Sequence, residues 1–128
     1  MRQYGRPLCA FECEILSPYF KKETLDKARI IQEHVPFWLN KRMCAVVLGH
    51  TIYMRKGAYS KALQPSLTDL ALLAHELTHV EQYLSGMTIA KYLWASRHGY
   101  RQNPYEVEAY AKEALIAAEI GSKHCNTA

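Results

Sequence analysis

The chain has 128 residues, enough for one domain with a modest core. Apolar residues make up 49% of it, a globular composition that excludes a disordered chain. The net charge of +4 is spread thinly, with Lys21-Lys22 and Lys41-Arg42 as isolated pairs, so no nucleic-acid partner is expected.

The opening MRQYGRPLCAFECEIL lacks the continuous apolar run of a signal peptide, and no stretch approaches the roughly 20 apolar residues of a membrane span. The expectation is a cytoplasmic protein without a membrane partner; specialised export would leave no such mark. Residues 1–17 read as an extended segment. Ser17-Pro18 then has the form of an N-cap followed by proline in the first helical turn. Apolar positions Phe20, Leu25, Ala28, Ile31 and Val35 predict a helix over about 18–34, stopped by Pro36, with Phe37, Trp38 and Leu39 plugging the core in a short turn.

Next, Val46-Val47 and Thr51-Ile52-Tyr53 favour strands, with Gly49 as a bend or bulge between them. Ser66 and Asp69 form a Ser-x-x-Asp start signal, which predicts a helix from about Leu67 to Leu84 closed by Gly86. A further helix is expected over Thr88 to Arg97, ended by Gly99. Asn103-Pro104 starts the last, expected to stop at Gly121 after Ile120. The total is a helix-rich α+β domain. Without a secretory signal, Cys9, Cys13, Cys44 and Cys125 are expected to be free thiols. The spacing of Cys9 and Cys13 falls within that of zinc ligands, but no second pair follows.

The segment LLAHELTHVEQY carries the chemistry. At about 100° per residue, Leu70, Leu73, Leu77, Val80 and Leu84 fall on one face of the helix, while His75 and His79 lie one turn apart on another. Imidazoles at i and i+4 can converge on one cation. Glu76 follows the first by one residue, so its carboxylate stands beside the metal, where it can take a proton from zinc-bound water. That is the physical content of His-Glu-x-x-His.

A third ligand must come from elsewhere, and His98, Glu106, Glu108, Glu113 and His124 are the downstream candidates. NPYEVEAYAKEA offers two glutamates near the start of a helix. Glu106 shares its face with Ala109, Tyr110 and Glu113; Glu108 points about 200° away, so only one of the two can face the metal. An oxyanion donor is also needed, and Tyr100, Tyr105, His98 and Arg101 lie in the loop before Glu106, with Tyr100 the favoured candidate.

With these motifs the chain resembles a minimal gluzincin, a metallopeptidase-like domain with His-Glu-x-x-His on one helix and a zinc-binding Glu on a later one. Such domains often carry Glu-x-x-Ala followed by Asp or Asn, and Glu106-Val107-Glu108-Ala109 matches. The resemblance therefore assigns His75, His79 and Glu106 to Zn2+, with Glu108 as the alternative. Tyr110 replaces the customary Asp or Asn, the residue that would orient a ligating histidine. The run LGHTIYMRKGAYS before LLAHELTHVEQY, with Gln82 three residues after the second His, resembles short peptidase-like domains associated with bacterial contractile injection systems and polymorphic toxins. The likeness covers about residues 46–120 of the single domain, and residues 1–45 match nothing comparable. It implies a zincin-like fold and a zinc-dependent metallopeptidase in which Glu76 activates zinc-bound water to hydrolyse a protein or peptide. It also implies that the strand before the metal helix, Thr51 to Met54, lies at the cleft edge and can bind an extended peptide. The alternative is a catalytically silent zinc-binding module of a phage, toxin or secretion system.

Overall fold

The computed structural model describes residues 5–59 and 65–126, with side chains through residue 121. Its elements are helix α1 (Ala10–Leu16), helix α2 (Lys22–Lys27), strand β1 (Arg29–Gln32), strand β2 (Ala45–Leu48), strand β3 (Thr51–Met54), helix α3 (Leu67–Leu84), helix α4 (Ile89–Ala95), a 3-10 turn at Tyr100–Gln102 and helix α5 (Pro104–Asn126). The α+β class is as expected: a small sheet lies against α3, and α5 packs along that helix.

The first third of the chain departs from the expected helix over 18–34. Ser17 closes α1 instead of opening a helix, its N–H donating to the Cys13 carbonyl. The helix starts earlier because Glu12 reaches back to accept from the Cys9 N–H at 2.8 Å, doing for a cysteine N-cap what glutamate does in a capping box. α2 stops at Ala28, whose ψ of 140° is extended, and Arg29–Gln32 form a strand. Ile30 and Ile31 are β-branched and buried, and the pairing with β3 on one side and Arg6 on the other outweighs the helical spacing around them. Phe37 and Trp38 do not plug the core: they are 99% and 58% exposed, and only Leu39 is buried.

The sheet order is β1-β3-β2, with β1 parallel and β2 antiparallel to β3. β2 and β3 are joined by the two-residue turn Gly49-His50, where Gly49 takes φ 67°, a left-handed conformation that glycine adopts without steric cost. The outer edge of β1 is closed by Arg6, which exchanges backbone hydrogen bonds with Ile30 at 2.8 and 2.9 Å. Glycine is required just before it. At φ 77°, a Cβ on Gly5 would stand 3.0 Å from the Ile31 side chain. The expected cleft-edge strand, Thr51 to Met54, is thus the central strand, paired on both sides, and β2 is an edge strand with no further strand beside it among the described residues.

α3 runs from Leu67 to Leu84 as expected. The Ser66 hydroxyl accepts from the Asp69 N–H at 3.1 Å, and the Asp69 carboxylate accepts from the Ser66 N–H at 3.0 Å. Leu70, Leu73, Leu77 and Val80 are buried against the sheet and α5, in one cluster that also takes in Leu8, Leu16, Phe20 and Leu25 from the N-terminal third. Residues 5–45 therefore contribute to the same core as the rest. Ala109, fully buried, lets α5 approach α3 closely. Thr88 caps α4 through the Lys91 N–H at 3.1 Å. α5 passes through Gly121 to Asn126, since a glycine inside a helix costs about 1 kcal/mol but stops it only when it turns left-handed.

Candidate metal centre

α3 presents His75 and His79 to the first turn of α5, where Glu106 is 2% exposed. Glu106 Oε1 lies 3.0 Å from His75 Nε2 and 3.2 Å from His79 Nε2. The ligand atoms of these three residues all fall within 4.8 Å of one another, the one group of this kind among the described residues. Of the two glutamates left open by helical geometry, Glu106 is the one that faces the histidines. Glu108 points out of the centre and accepts from Gln82 Nε2 at 2.6 Å. His98 is exposed on the surface, and the His124 side chain lies outside the described residues. Cys9 and Cys44 are exposed free thiols, Cys13 is a half-buried one, and the Cys125 side chain is not described.

The other ring nitrogens decide the character of the site. His75 Nδ1 stands 2.8 Å from the Glu113 carboxylate, an acceptor only, so this nitrogen carries the proton. His79 Nδ1 stands 2.8 Å from Gln82 Oε1. The Gln82 amide is fixed in that orientation because its Nε2 donates to the Tyr105 carbonyl at 3.0 Å and to Glu108. His79 Nδ1 is therefore a donor as well. In the neutral rings both Nε2 atoms are bare lone pairs, and both aim at the carboxylate of Glu106. With the rings neutral three acceptors converge there, and either protons on the Nε2 atoms or a metal ion could supply the positive charge between them. The electrostatics express the same demand. Burial opposes charge on both histidines, yet the hydrogen bonds and charge of Glu106 outweigh it and raise their pKa. Glu106 itself, against the pull of its burial, is held far below the ordinary carboxylate range by His75, His79 and Tyr92.

Two supports were not legible as such in the sequence. The Tyr92 hydroxyl, on α4, donates to Glu106 Oε2 and leaves Oε1 to the histidines. Tyr92 is held there through Asn103, whose buried amide donates to the Tyr92 carbonyl at 3.2 Å and to Ser96 Oγ at 2.7 Å. Glu113, one candidate ligand, instead orients His75. It sits about two helical turns after Glu106 on the same face, so its place could have been read from that spacing. Tyr110, in the position where Asp or Asn was expected, packs its ring edge-on to His75 at 4.5 Å, and Glu113 supplies the orienting carboxylate one turn later.

Glu76 is buried, and its carboxylate has no hydrogen-bond partner among the described residues. Burial first, and the negative charges of Glu106 and Glu113 after it, raise its pKa against the opposing pull of His75 and His79. It lines two cavities that meet at the centre. One, of about 350 Å³, is walled by Val47, Tyr83, Met87 and Ile89; the other, of about 730 Å³, by Arg42, Arg101, Tyr110 and Glu113. Tyr100 lines both, and its hydroxyl accepts from Tyr110 at 3.3 Å. Burial and the neighbouring Tyr110 and Glu106 push its phenol well above the ordinary range, so it keeps its proton. Tyr105 stacks on Tyr92, 6.3 Å between ring centres, and Arg101 is exposed.

The family model described as the eCIS core domain matches residues 25–87, just under half of the chain. The matched stretch spans the sheet and α3 with His75, Glu76 and His79, and it ends before Glu106. No curated protein and no solved structure matches the chain.

Proposed function

We propose that the chain is a zinc-dependent metallopeptidase of gluzincin type, built on a zincin-like fold. The observation that carries this reading is the convergence of His75 Nε2, His79 Nε2 and Glu106 Oε1 beside a carboxylate, Glu76, that has no hydrogen-bond partner among the described residues. Two imidazoles and one carboxylate suit zinc, and three protein ligands leave room for a fourth, exchangeable one. When bound, zinc would supply Lewis acidity, polarising a carbonyl and acidifying water.

The remaining work falls to the chain's own groups. Glu76 accepts a proton from the attacking water and returns it to the leaving amine, a role helped by the raised pKa that burial gives it. Tyr100, protonated and beside both cavities, is the candidate donor to the developing oxyanion. Gln82 and Glu113 hold the histidine rings, and Tyr92 holds Glu106. β2 is the strand to which an extended peptide would add. The Arg55 N–H bonds to the Cys44 carbonyl and the Tyr83 hydroxyl to that of Val47, so the backbone groups of Ala45 and Val47 face away from β3.

A catalytically silent metal module is the second reading, and the match to the eCIS core domain over residues 25–87 is compatible with it. Metal content and proteolysis of an unfolded protein, measured on wild type, His79→Ala and Glu76→Gln, separate the two. The peptidase reading expects about one zinc per chain in wild type and Glu76→Gln, little in His79→Ala, and cleavage by wild type alone. Zinc without cleavage in wild type would leave the silent module.

A further inference from the structure

The two cavities beside Glu76 differ in chemistry. Beyond His79 the walls are apolar, formed by Trp38, Val47, Tyr83, Met87 and Ile89. Beyond His75 they carry Arg42 and Arg101, two exposed guanidinium groups without an ion-pair partner among the described residues. Of the two carboxylates that line this second cavity, Glu113 is turned to His75 Nδ1 at 2.8 Å, and Glu76 stands at the centre that both cavities share. The outer edge of β2 runs past both: Ala45 borders each cavity, and Val46 to Leu48 border the apolar one. A strand laid along this edge would place its side chains in one cavity before the metal centre and in the other after it.

We infer that the cleft selects an extended peptide with a bulky apolar side chain on the His79 side and a carboxylate on the Arg42/Arg101 side of the reacting bond. This rests on the peptidase reading and adds the substrate class. The apolar cavity, at about 350 Å³, has room for an aromatic or large aliphatic side chain. The unpaired guanidinium groups favour a carboxylate and disfavour lysine. That carboxylate can belong to an Asp or Glu side chain or to the end of a peptide.

The test uses the full-length Glu76→Gln protein loaded with zinc, so that peptides bind without being cut. Fluorescent ten-residue peptides carry one Phe and, two to four residues to either side, Glu, Gln or Lys; a parallel set with Gln ends in a free carboxylate or an amide. Glu peptides are expected to bind about tenfold more tightly than Lys peptides in one of the two orientations, the size expected of two exposed charge pairs acting together. Arg42→Ser/Arg101→Ser should reduce that ratio below about twofold while keeping zinc content and circular dichroism. Ile89→Asp, on an exposed position, should weaken all Phe peptides at least about fivefold. A free-acid advantage over the amide in the parallel set would assign the carboxylate to a chain end, and its absence to a side chain. Equal binding of Glu and Lys peptides, or a Glu preference that persists without both arginines, overturns the inference. If wild type still cleaves unfolded protein, the peptidase reading stands when this one falls. Charge-selective binding with no cleavage by wild type removes the peptidase reading and leaves the selectivity.

Discussion

Two of the buried glutamates, Glu12 and Glu106, are accommodated in opposite ways. Glu12, fully buried, accepts from Arg6 at 3.0 and 3.1 Å, from the Cys9 N–H at 2.8 Å and from the Tyr59 hydroxyl at 2.6 Å. Every contact is a donor, and one donor carries the balancing charge. Glu106, almost as buried, meets the Tyr92 hydroxyl and, when the rings are neutral, two imidazole lone pairs. The first carboxylate is closed upon itself and knits the N-terminal segment to the loop at Tyr59. The second sits in a buried group that could hold a metal ion. Burial alone therefore does not mark a functional carboxylate; the balance of donors against acceptors around it does.

The largest expected effect lies in the open centre. Glu106→Gln should lower zinc affinity by at least about 100-fold, because it replaces an anionic ligand in a buried site. In chelator at pH 8 the same change should also lower unfolding stability, because the fold holds Glu106 ionised more firmly than the unfolded chain does. Zinc titration followed by denaturant unfolding checks both halves, and undiminished affinity would remove Glu106 from the ligand set. Glu12→Gln should leave the metal centre alone: zinc affinity within about twofold of wild type, with a loss of about 2 kcal/mol in unfolding free energy. The loss is of that size because charge-assisted hydrogen bonds from Arg6 are weakened at a buried position. If Glu12→Gln unfolds like wild type, the Arg6–Glu12–Tyr59 cluster is not a structural anchor.

The difference between these centres also accounts for what the sequence disclosed. The metal helix was readable nearly residue for residue because its cues are local: the Ser66/Asp69 cap, the leucine spacing and the i, i+4 histidines all lie within one stretch. Glu106 was narrowed to two candidates by helical angle, and resemblance chose between them. The Glu12 cluster was invisible, since it joins residues 6, 12 and 59, and its capping signal begins at a cysteine, an uncommon N-cap. β1 was hidden for a related reason. Its strand character comes from pairing with β3 and Arg6, distant in sequence, while its local spacing fits a helix. Tyr92 reaches Glu106 only because Asn103 ties α4 to the start of α5.

Glu113 sharpens the comparison at the metal side. It touches the centre only through His75 Nδ1, so Glu113→Ala should reduce zinc affinity about tenfold while unfolding in chelator stays within about 0.5 kcal/mol of wild type. Glu113→Gln, whose amide oxygen can still accept from His75, should recover most of the affinity. An alanine variant that binds zinc like wild type would show that His75 needs no such support.

The smallest effect concerns acid. Burial would raise the pKa of Glu12, but Arg6, Tyr59 and the Cys9 N–H together hold it below its ordinary value of 4.5. Above about pH 4.5, Glu12 is ionised in the folded and the unfolded chain alike, and its contribution to stability is complete. As pH falls further, the unfolded chain takes up a proton at this position before the folded one does. Stability is therefore lost down to the depressed folded pKa, and no further below it. In Glu12→Gln this uptake is gone. The stability difference between wild type and variant, measured in chelator so that metal release is not superimposed, should be constant from about pH 7 to 5 and shrink below about pH 4.5. Other titrating groups cancel in that difference. A gap that stayed constant to pH 3 would mean that the folded state holds Glu12 no more firmly in its ionised form than the unfolded chain does.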